Sequence, residues 1–205
     1  MTVPSPEDIR ALHEKHAPSR EAFALVWTHC EIVWRIAEGL LDRWEETGPE
    51  MAAGVDRALV RAGCLLHDIG VYRLYDDNGR LDHANYLRHG VLGHGLLAEE
   101  GWPESLCRFC SCHTGVGLTR HDIEHQRLPL PPGDYLARTV EERLVMYADK
   151  FHSKTTPPTF LTADSYAAKV SRFGADKTVA FRELRAVFGE PELGGLVAEY
   201  GHAVR

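Results

Sequence analysis

The sequence predicts an all-α fold, and three observations lead to this prediction. Apolar residues recur at helical steps of three and four residues along most of the chain. Residues typical of helix ends separate these stretches: Ser19 and Thr139 can cap helix starts, and Gly70 and Gly101 can end helices. No stretch shows the convincing alternation of a half-buried strand. The length of 205 residues and the hydrophobic content of 44% favour a single domain spanning 1–205.

Start and stop signals divide the chain into a series of predicted elements. Ser19 caps a long second helix, and Thr139 followed by Glu142 is a capping-box signature for a later one. Pro103 suits the first turn of a helix, whereas the prolines between 128 and 133 exclude a helix there. The predicted helices cover 6–16, 20–47, 51–69, 84–100, 103–113, 120–126 and 139–153, with a turn-rich loop at 72–82 and two or three helices at the end.

The composition argues against several classes of function. The net charge of 23 − 30 = −7 disfavours a nucleic-acid partner or an anionic membrane surface. No run of eighteen apolar residues occurs, so no transmembrane helix is expected. The first residues lack the basic and apolar regions of a signal peptide, so we expect a cytoplasmic protein. Five cysteines, an odd number, fit reduced thiols better than a disulfide framework.

The adjacent pair His67-Asp68 is the most informative feature of the sequence. It stands at the end of an apolar helix, just before Gly70. A buried ion without a partner costs several kcal/mol, so the pair is either a solvated helix terminus or part of a metal site. Gly63, one turn earlier, is expected to leave room beside the imidazole of His67.

Further histidines and an aspartate fall on apolar helix faces. His29 lies in a stripe with helical spacing that comprises Ala22, Val26, Val33, Ile36 and Leu40. His89, His113 and Asp149 each share a face with apolar residues. One core histidine with a satisfied hydrogen bond is ordinary, but four histidines and two aspartates from five helices favour a metal centre. Among the remaining histidines, His94 and His152 lie near these residues in sequence, His83 falls on a loop, and the expected exposed ones are His13, His16, His121, His125 and His202.

In this order, the residues resemble the motifs of the HD superfamily of metal-dependent phosphohydrolases. His67-Asp68-Ile69-Gly70 looks like the central motif of that superfamily. The segments His89-Gly90-Val91-Leu92-Gly93, Cys112-His113-Thr114-Gly115 and Tyr147-Ala148-Asp149-Lys150 are similar to its later ligand motifs. The resemblance runs from about 22 to 153. It implies a helical bundle with the metal site at its centre and an HD-domain core over 20–153. The aromatic residues Phe160, Tyr166, Phe173 and Phe181 indicate that 154–205 form a helical extension packed on the core.

The resemblance also implies a ligand set for two metal ions. One ion would be held by His29, His67, Asp68 and Asp149, while Asp68 would bridge to a second ion completed by His89 and His113. Imidazoles and carboxylates together suit first-row transition metals better than calcium. We therefore expect two divalent ions, iron or manganese first, with cobalt, nickel, zinc or magnesium as alternatives.

The expected function is hydrolysis of a small phosphate ester, either a nucleotide or another monoester or diester. A hydroxide held between the metals would attack phosphorus. Asp68 and Lys150 are the expected catalytic residues, Asp68 for proton transfer and Lys150 for stabilising charge on the phosphoryl oxygens. Val71 stands where some two-metal relatives place a lysine, so no phosphate-binding role is assigned there. The candidates for substrate contact are Lys150, Arg120, Lys154 and His94.

Two alternatives stay open at this point. The same superfamily includes mixed-valent di-iron oxygenases that cleave C–C or C–P bonds with the same six ligands. A non-catalytic interaction domain stabilised by its metal would also retain the motif. The sequence predicts no oligomeric state.

Overall fold

The computed structural model describes residues 3–205, apart from the side chain of Met51, and helices dominate this range. The all-α prediction is confirmed. The helices are α1 (Pro6–His16), α2 (Arg20–Thr47), α3 (Pro49–Ala52), α4 (Arg57–Leu66), α5 (His89–Glu99), α6 (Glu104–Cys112), α7 (Arg120–Gln126), α8 (Val140–Ala148), α9 (Ala163–Val170), α10 (Ala175–Phe188) and α11 (Gly194–Tyr200). Three short strands, β1 (His152–Ser153), β2 (Thr159–Phe160) and β3 (Ala203–Val204), form a sheet in which β2 pairs antiparallel with β1 and parallel with β3.

Helix α2 is the centre of the core, and α4 and α8 pack against it. Its start is the predicted one, because the Ser19 side chain accepts a hydrogen bond from the amide of Ala22. The predicted stripe is buried and comprises Ala22, Val26, His29, Val33, Ile36 and Leu40. Each large apolar side chain buried in this way contributes about 1.5–3 kcal/mol to folding. His29 is therefore held in a position that packing enforces.

The region predicted as one helix over 51–69 is divided, and the prediction of a continuous helix was wrong. The Asp56 side chain accepts a hydrogen bond from the amide of Leu59 at 3.0 Å and so caps a new helix, α4. Helix α4 ends at Leu66, and a 3₁₀ helix (Ile69–Leu74) replaces the first part of the predicted loop. Gly70 lets this segment lie directly on α5, since a Cβ atom there would stand 2.0 Å from the carbonyl oxygen of His89.

Two other helices are shorter than predicted, and the strands were missed. Helix α5 begins at His89, after a 3₁₀ turn (Tyr86–Arg88), instead of at residue 84. Helix α8 ends at Ala148, where a 3₁₀ turn (Asp149–Phe151) leads into β1. The strands contain two residues each, which is too short to produce a detectable alternation.

The C-terminal helices pack on the core through aromatic contacts. The ring centroid of Tyr147 in α8 lies 5.7 Å from that of Phe181 and 5.8 Å from that of Phe188 in α10. Phe173, which the sequence assigned to this packing, is instead 57% exposed. The proposed boundary between 153 and 154 follows β1 directly, so the sheet joins both sides of it. The division into core and extension stays a prediction.

None of the described helices has both the length and the apolarity that a bilayer crossing requires.

Candidate metal centre

Six side chains from five helical segments converge beside α2. His29 projects from α2, and His67 and Asp68 follow the end of α4. His89 is the first residue of α5, His113 directly follows α6, and Asp149 directly follows α8. Five of the six are buried, and Asp149 is half-buried. Helix ends place all of these groups except His29, because a side chain there can point along the gap between neighbouring helices.

The ligand atoms form two groups that share Asp68. In the first group, His29 Nε2 lies 3.1 Å from Asp68 Oδ2, 3.0 Å from Asp149 Oδ1 and 3.3 Å from His67 Nε2. In the second, the other carboxylate oxygen, Asp68 Oδ1, lies 3.4 Å from His89 Nε2 and 3.6 Å from His113 Nε2. Each oxygen of Asp68 thus faces one group, as expected for a carboxylate that bridges two metal ions.

The hydrogen bonds of the rings test whether these residues fit metal ions. Three imidazoles have their Nδ1 atom against a main-chain carbonyl, which accepts only, so each Nδ1 carries a proton and each Nε2 is available as a ligand. These contacts join His67 to Cys64 at 2.7 Å, His89 to Tyr86 at 2.6 Å and His113 to Phe109 at 3.1 Å.

The second group contains polar atoms that lack hydrogen-bonding partners of the right kind. The Nε2 atoms of His89 and His113 are 2.9 Å apart, and each would present a lone pair to the other. Asp68 Oδ1 is buried and accepts no hydrogen bond. A cation between these three atoms would satisfy all of them, so the residues fit a metal ion here.

The space beside Gly63 serves another purpose than the predicted one. A Cβ atom on Gly63 would lie 2.4 Å from Cδ1 of Phe109. The missing side chain therefore admits the ring of Phe109 between α4 and α6, and does not make room for His67. The expectation for Gly63 was wrong because α6, whose position the local sequence does not give, lies on that face.

Opposite charges keep the two aspartates ionised. Burial alone would raise the pKa of Asp68, but the ammonium of Lys154 and the imidazole of His67 hold it well below its usual range. Burial likewise opposes ionisation of Asp149, and the charge of Lys150 lowers its pKa. The burial of His113 lowers its pKa, and the neighbouring His67 and His89 add to the effect. Burial also lowers the pKa of His89, so His89 and His113 favour the neutral form that binds metal, whereas the charge of Asp68 outweighs burial at His67 and raises its pKa well above the usual value.

A cavity of about 550 Å³ opens onto the cluster, within the usual range for small-molecule sites. His29, His89, His113 and both aspartates line it, whereas His67 lies beneath them. Much of the wall is apolar and includes Leu81, Tyr86, Val116, Leu118, Tyr166 and Phe173. Besides the two aspartates, the lining contains four lysines and five histidines: Lys150, Lys154, Lys169, Lys177, His29, His83, His89, His113 and His152.

Two of the four predicted substrate residues reach this cavity. Lys150 donates hydrogen bonds to the carbonyl of His113 at 2.9 Å and to Asp149 Oδ2 at 2.7 Å. Lys154 forms an ion pair with Asp68 Oδ2 and lies 5.5 Å from the centre of the Tyr86 ring. Both lysines line the cavity.

Arg120 and His94 lie elsewhere, outside the described lining of the cavity. Arg120 is on the exposed face of α7 and lies 3.8 Å from Glu124. His94 points from α5 toward α6, where it contacts Glu104 at 3.2 Å and Ser111 at 3.1 Å. Spacing along the chain places both near proposed ligands, but their helix faces turn them away from the cavity.

The expected exposure of His13 was wrong. Its ring is fully buried, with Nδ1 2.9 Å from the hydroxyl of Tyr72 and Nε2 2.8 Å from the carbonyl of Leu65. Ile9, four residues earlier, is also buried and marks the same inward face of α1. His121 and His125 are exposed as expected, and His16 and His202 are half-buried.

Several residues around the site escaped the sequence analysis. Lys177 comes from α10 and donates to the carbonyl of Gly117 at 3.0 Å and to the carboxylate of Asp122. Tyr86 contributes a ring to the cavity wall, 4.9 Å from that of His89. No local motif marks either residue. His152, which the sequence placed near the ligands, is buried, and burial together with His29 and His202 lowers its pKa to about 2.

A solved structure resembles the whole fold. The HD domain of the phosphodiesterase PgpH from L. monocytogenes matches 96% of this chain and 100% of that domain, with a TM-score of 0.52 and 17% identity. At this identity the likeness shows the shared fold alone.

Two curated relatives are closer in sequence. An uncharacterized protein of Methanocaldococcus jannaschii is 39% identical over 121 residues, which are 59% of this chain and 62% of that protein. A tRNA (cytidine(56)-2'-O)-methyltransferase of Picrophilus torridus is 33% identical over 135 residues, 66% of this chain and 33% of that protein. The chain spans less than two thirds of either relative, so the methyltransferase name describes a protein of which this chain matches one third.

The family comparison covers the site itself. The HD domain family matches residues 26–154, and all six side chains of the cluster lie in that range. Its description and the geometry of the cluster agree with the resemblance drawn from the sequence. The chain belongs to the HD-domain family.

Proposed function

We propose that this protein is a metal-dependent hydrolase of a small phosphate ester that uses two divalent ions, with iron or manganese as first candidates. One observation carries the proposal: Asp68 directs its two oxygens to two separate groups of imidazoles at the base of a cavity that lysines line. Membership of the HD-domain family supports metal-dependent phosphohydrolase chemistry in general terms.

The chain's own residues divide the work of such a reaction. Bound divalent ions would supply Lewis acidity and a water acidic enough to ionise near neutral pH. Asp68 and Asp149 would neutralise charge on the ions, and the carbonyl contacts of His67, His89 and His113 hold the Nε2 atoms of these three rings toward the site. Lys150 uses two of its three N–H donors on His113 and Asp149, so its position is fixed, and the third is available for a phosphoryl oxygen.

Lys154 differs from Lys150, because its ammonium pairs with Asp68 Oδ2, an oxygen that a metal ion would also bind. The ion pair with Asp68 Oδ2 compensates the buried carboxylate in the protein without metal. A divalent cation bound to that oxygen would repel the ammonium of Lys154, which would then need another anion. A phosphate group in the cavity is that anion, so we assign Lys154 to phosphate binding and to competition with the metal.

The rest of the cavity suggests where the organic part of the ester lies. Leu81 comes from the loop after the 3₁₀ helix, and Leu128 comes from the proline-rich loop. An apolar wall beside lysines favours an ester with one charged end and one apolar or aromatic end.

Metal content and phosphate release, measured on the same preparations, test the proposal. We expect two ions per chain and metal-dependent phosphate release, with or without oxygen, from at least one member of a panel of mono- and diesters. His29→Ala and His89→Ala should each remove one ion, and Asp68→Asn should abolish turnover. His121→Ala, which changes an exposed histidine, is the control and should retain both ions.

Other outcomes would contradict the proposal in recognisable ways. A protein that consumes oxygen on an organophosphonate or a polyol and releases no phosphate anaerobically would be an oxygenase. A metal-loaded protein that is inert on every ester, yet unfolds when a chelator is added, would be a metal-stabilised interaction domain.

A further inference from the structure

Three histidine rings form a continuous row from the candidate metal centre to the C-terminal tail. His29 Nδ1 lies 2.8 Å from His152 Nδ1, and His152 Nε2 lies 3.0 Å from His202 Nδ1. The rings are nearly parallel, with interplanar angles of 27° and 20° and centroids 5.1 and 5.2 Å apart. The row therefore links α2 in the core with a residue 123 positions later and another 50 positions beyond it.

Hydrogen bonds between nitrogens connect the tautomers of the three rings. Each N···N contact requires one protonated nitrogen and one with a free lone pair. With a metal ion bound at Nε2 of His29, between the carboxylates of Asp68 and Asp149, that nitrogen would carry no proton, so Nδ1 would carry it and donate to His152. Nδ1 of His152 is then the acceptor, so its proton is on Nε2 and is donated to Nδ1 of His202. One direction of donation satisfies the whole row.

The small sheet holds the two outer rings in place. His152 belongs to β1 and pairs with Phe160 of β2, while His202 directly precedes β3. The ring of Phe160 packs 5.0 Å from His152 and 5.8 Å from His202. The amide of Arg205 donates to the carbonyl of Phe160 at 2.9 Å, which ties the tail to β2. The sheet thus fixes the spacing that the two hydrogen bonds need.

We infer that His202 is a positioning residue for the metal centre: the tail fixes the tautomer of His152, which in turn presents Nε2 of His29 as a ligand. This inference rests on the proposed function in one respect, namely that His29 binds a metal ion. Residues that hydrogen-bond a metal-binding histidine commonly change metal affinity about 10–100-fold when they are removed. The family motifs alone assign His202 no role in metal binding, because it lies far outside the matched residues 26–154.

Two substitutions separate a hydrogen-bonding role from a packing role. His202→Leu keeps the bulk of the ring and removes the acceptor, whereas the side-chain oxygen of His202→Asn can take the place of Nδ1. Competition with a chelator should show about tenfold weaker binding in His202→Leu at the group with His29, and wild-type binding at the group with His89 and His113. His202→Asn should restore the affinity to within about threefold of the wild type. His121→Leu is the matched control for loss of an imidazole.

A spectroscopic measurement on the zinc-loaded wild-type protein provides an independent test. Long-range ¹H–¹⁵N correlations of the ring nitrogens should place the proton of His152 on Nε2 and leave its Nδ1 unprotonated. A proton on Nδ1 of His152 would overturn the inference, even if His202→Leu proved unable to fold. Equal metal affinity in His202→Leu and the wild type, or equal losses in His202→Leu and His202→Asn, would also overturn it. A wild-type protein that binds no metal would instead overturn the proposed function.

Discussion

Gly70→Ala is expected to remove the metal ion of the His89 group with little loss at the other group. The added Cβ atom would lie 2.0 Å from the carbonyl oxygen of His89 and 2.2 Å from the amide nitrogen of Gly93. Both atoms belong to the backbone of α5, which cannot rotate out of the way. Ordinary contact begins at 3.4 Å, so the helix must move by about 3.4 − 2.0 = 1.4 Å at His89.

A displacement of this size exceeds what a metal site tolerates. Ligand distances must stay within about 0.2 Å of their ideal values, and His89 is the first residue of α5. His29 lies on α2 and is not carried by that movement. Overpacking of this kind typically costs about 1–3 kcal/mol, so the unfolding free energy should fall by that amount or more.

Two alanine substitutions on α5 provide a graded comparison. At Gly95 an added Cβ meets nothing within 4 Å, so Gly95→Ala should keep both ions and the wild-type stability. At Gly93 the nearest atoms, including Sγ of Cys110, lie at 3.0 Å, and we expect an intermediate effect. Elemental analysis and urea unfolding measure the two quantities. Gly70→Ala with two tightly bound ions and unchanged stability would refute the reasoning.

Three further predictions concern titratable side chains in the core and around the cavity. Burial lowers the pKa of His13 from 6.5 to about 4, so between these pH values the unfolded state binds more protons than the folded state. The free energy of unfolding, measured by urea titration, should therefore fall by roughly 3 kcal/mol as the pH drops from 6.5 toward 4. His13→Gln should lack this part of the loss. Lys177→Met leaves Asp122 without its cation and the Gly117 carbonyl without its donor, which should lower the free energy of unfolding by about 3 kcal/mol. KM should rise while the metal content stays unchanged. An unaltered KM would argue against a role of the Gly117 loop in substrate binding. Lys154→Met should tighten metal binding about tenfold, or about 1.4 kcal/mol, and raise KM. Lys169→Met, at the exposed rim, is the control and should leave metal affinity unchanged. Weaker metal binding in Lys154→Met would contradict the proposed competition for Asp68.

The sequence predicted which side chains converge beside α2 because their positions follow local rules. His29 falls in a helical stripe whose burial is dictated by five apolar neighbours, and His67-Asp68 stands at a readable helix end. Periodicity fixes which face of a helix is apolar, and buried ionisable groups on such a face require a compensating charge. Both rules depend only on residues a few positions apart in the chain, so they can be applied to a single sequence.

What tertiary structure alone decided is which faces meet. Gly63 looked like space for His67, but α6 fills that space with Phe109. The row from His29 to His202 and the pair of Lys177 with Asp122 join residues 50 or more positions apart. Side-chain periodicity describes neighbours a few positions apart and does not say which distant residues come into contact. The packing of helices against one another sets those contacts. The sequence therefore determined the chemistry of the candidate ligands, and its motifs already implied two groups that share Asp68. The assembled helices determined which residues surround these groups, such as His152, His202 and Lys177.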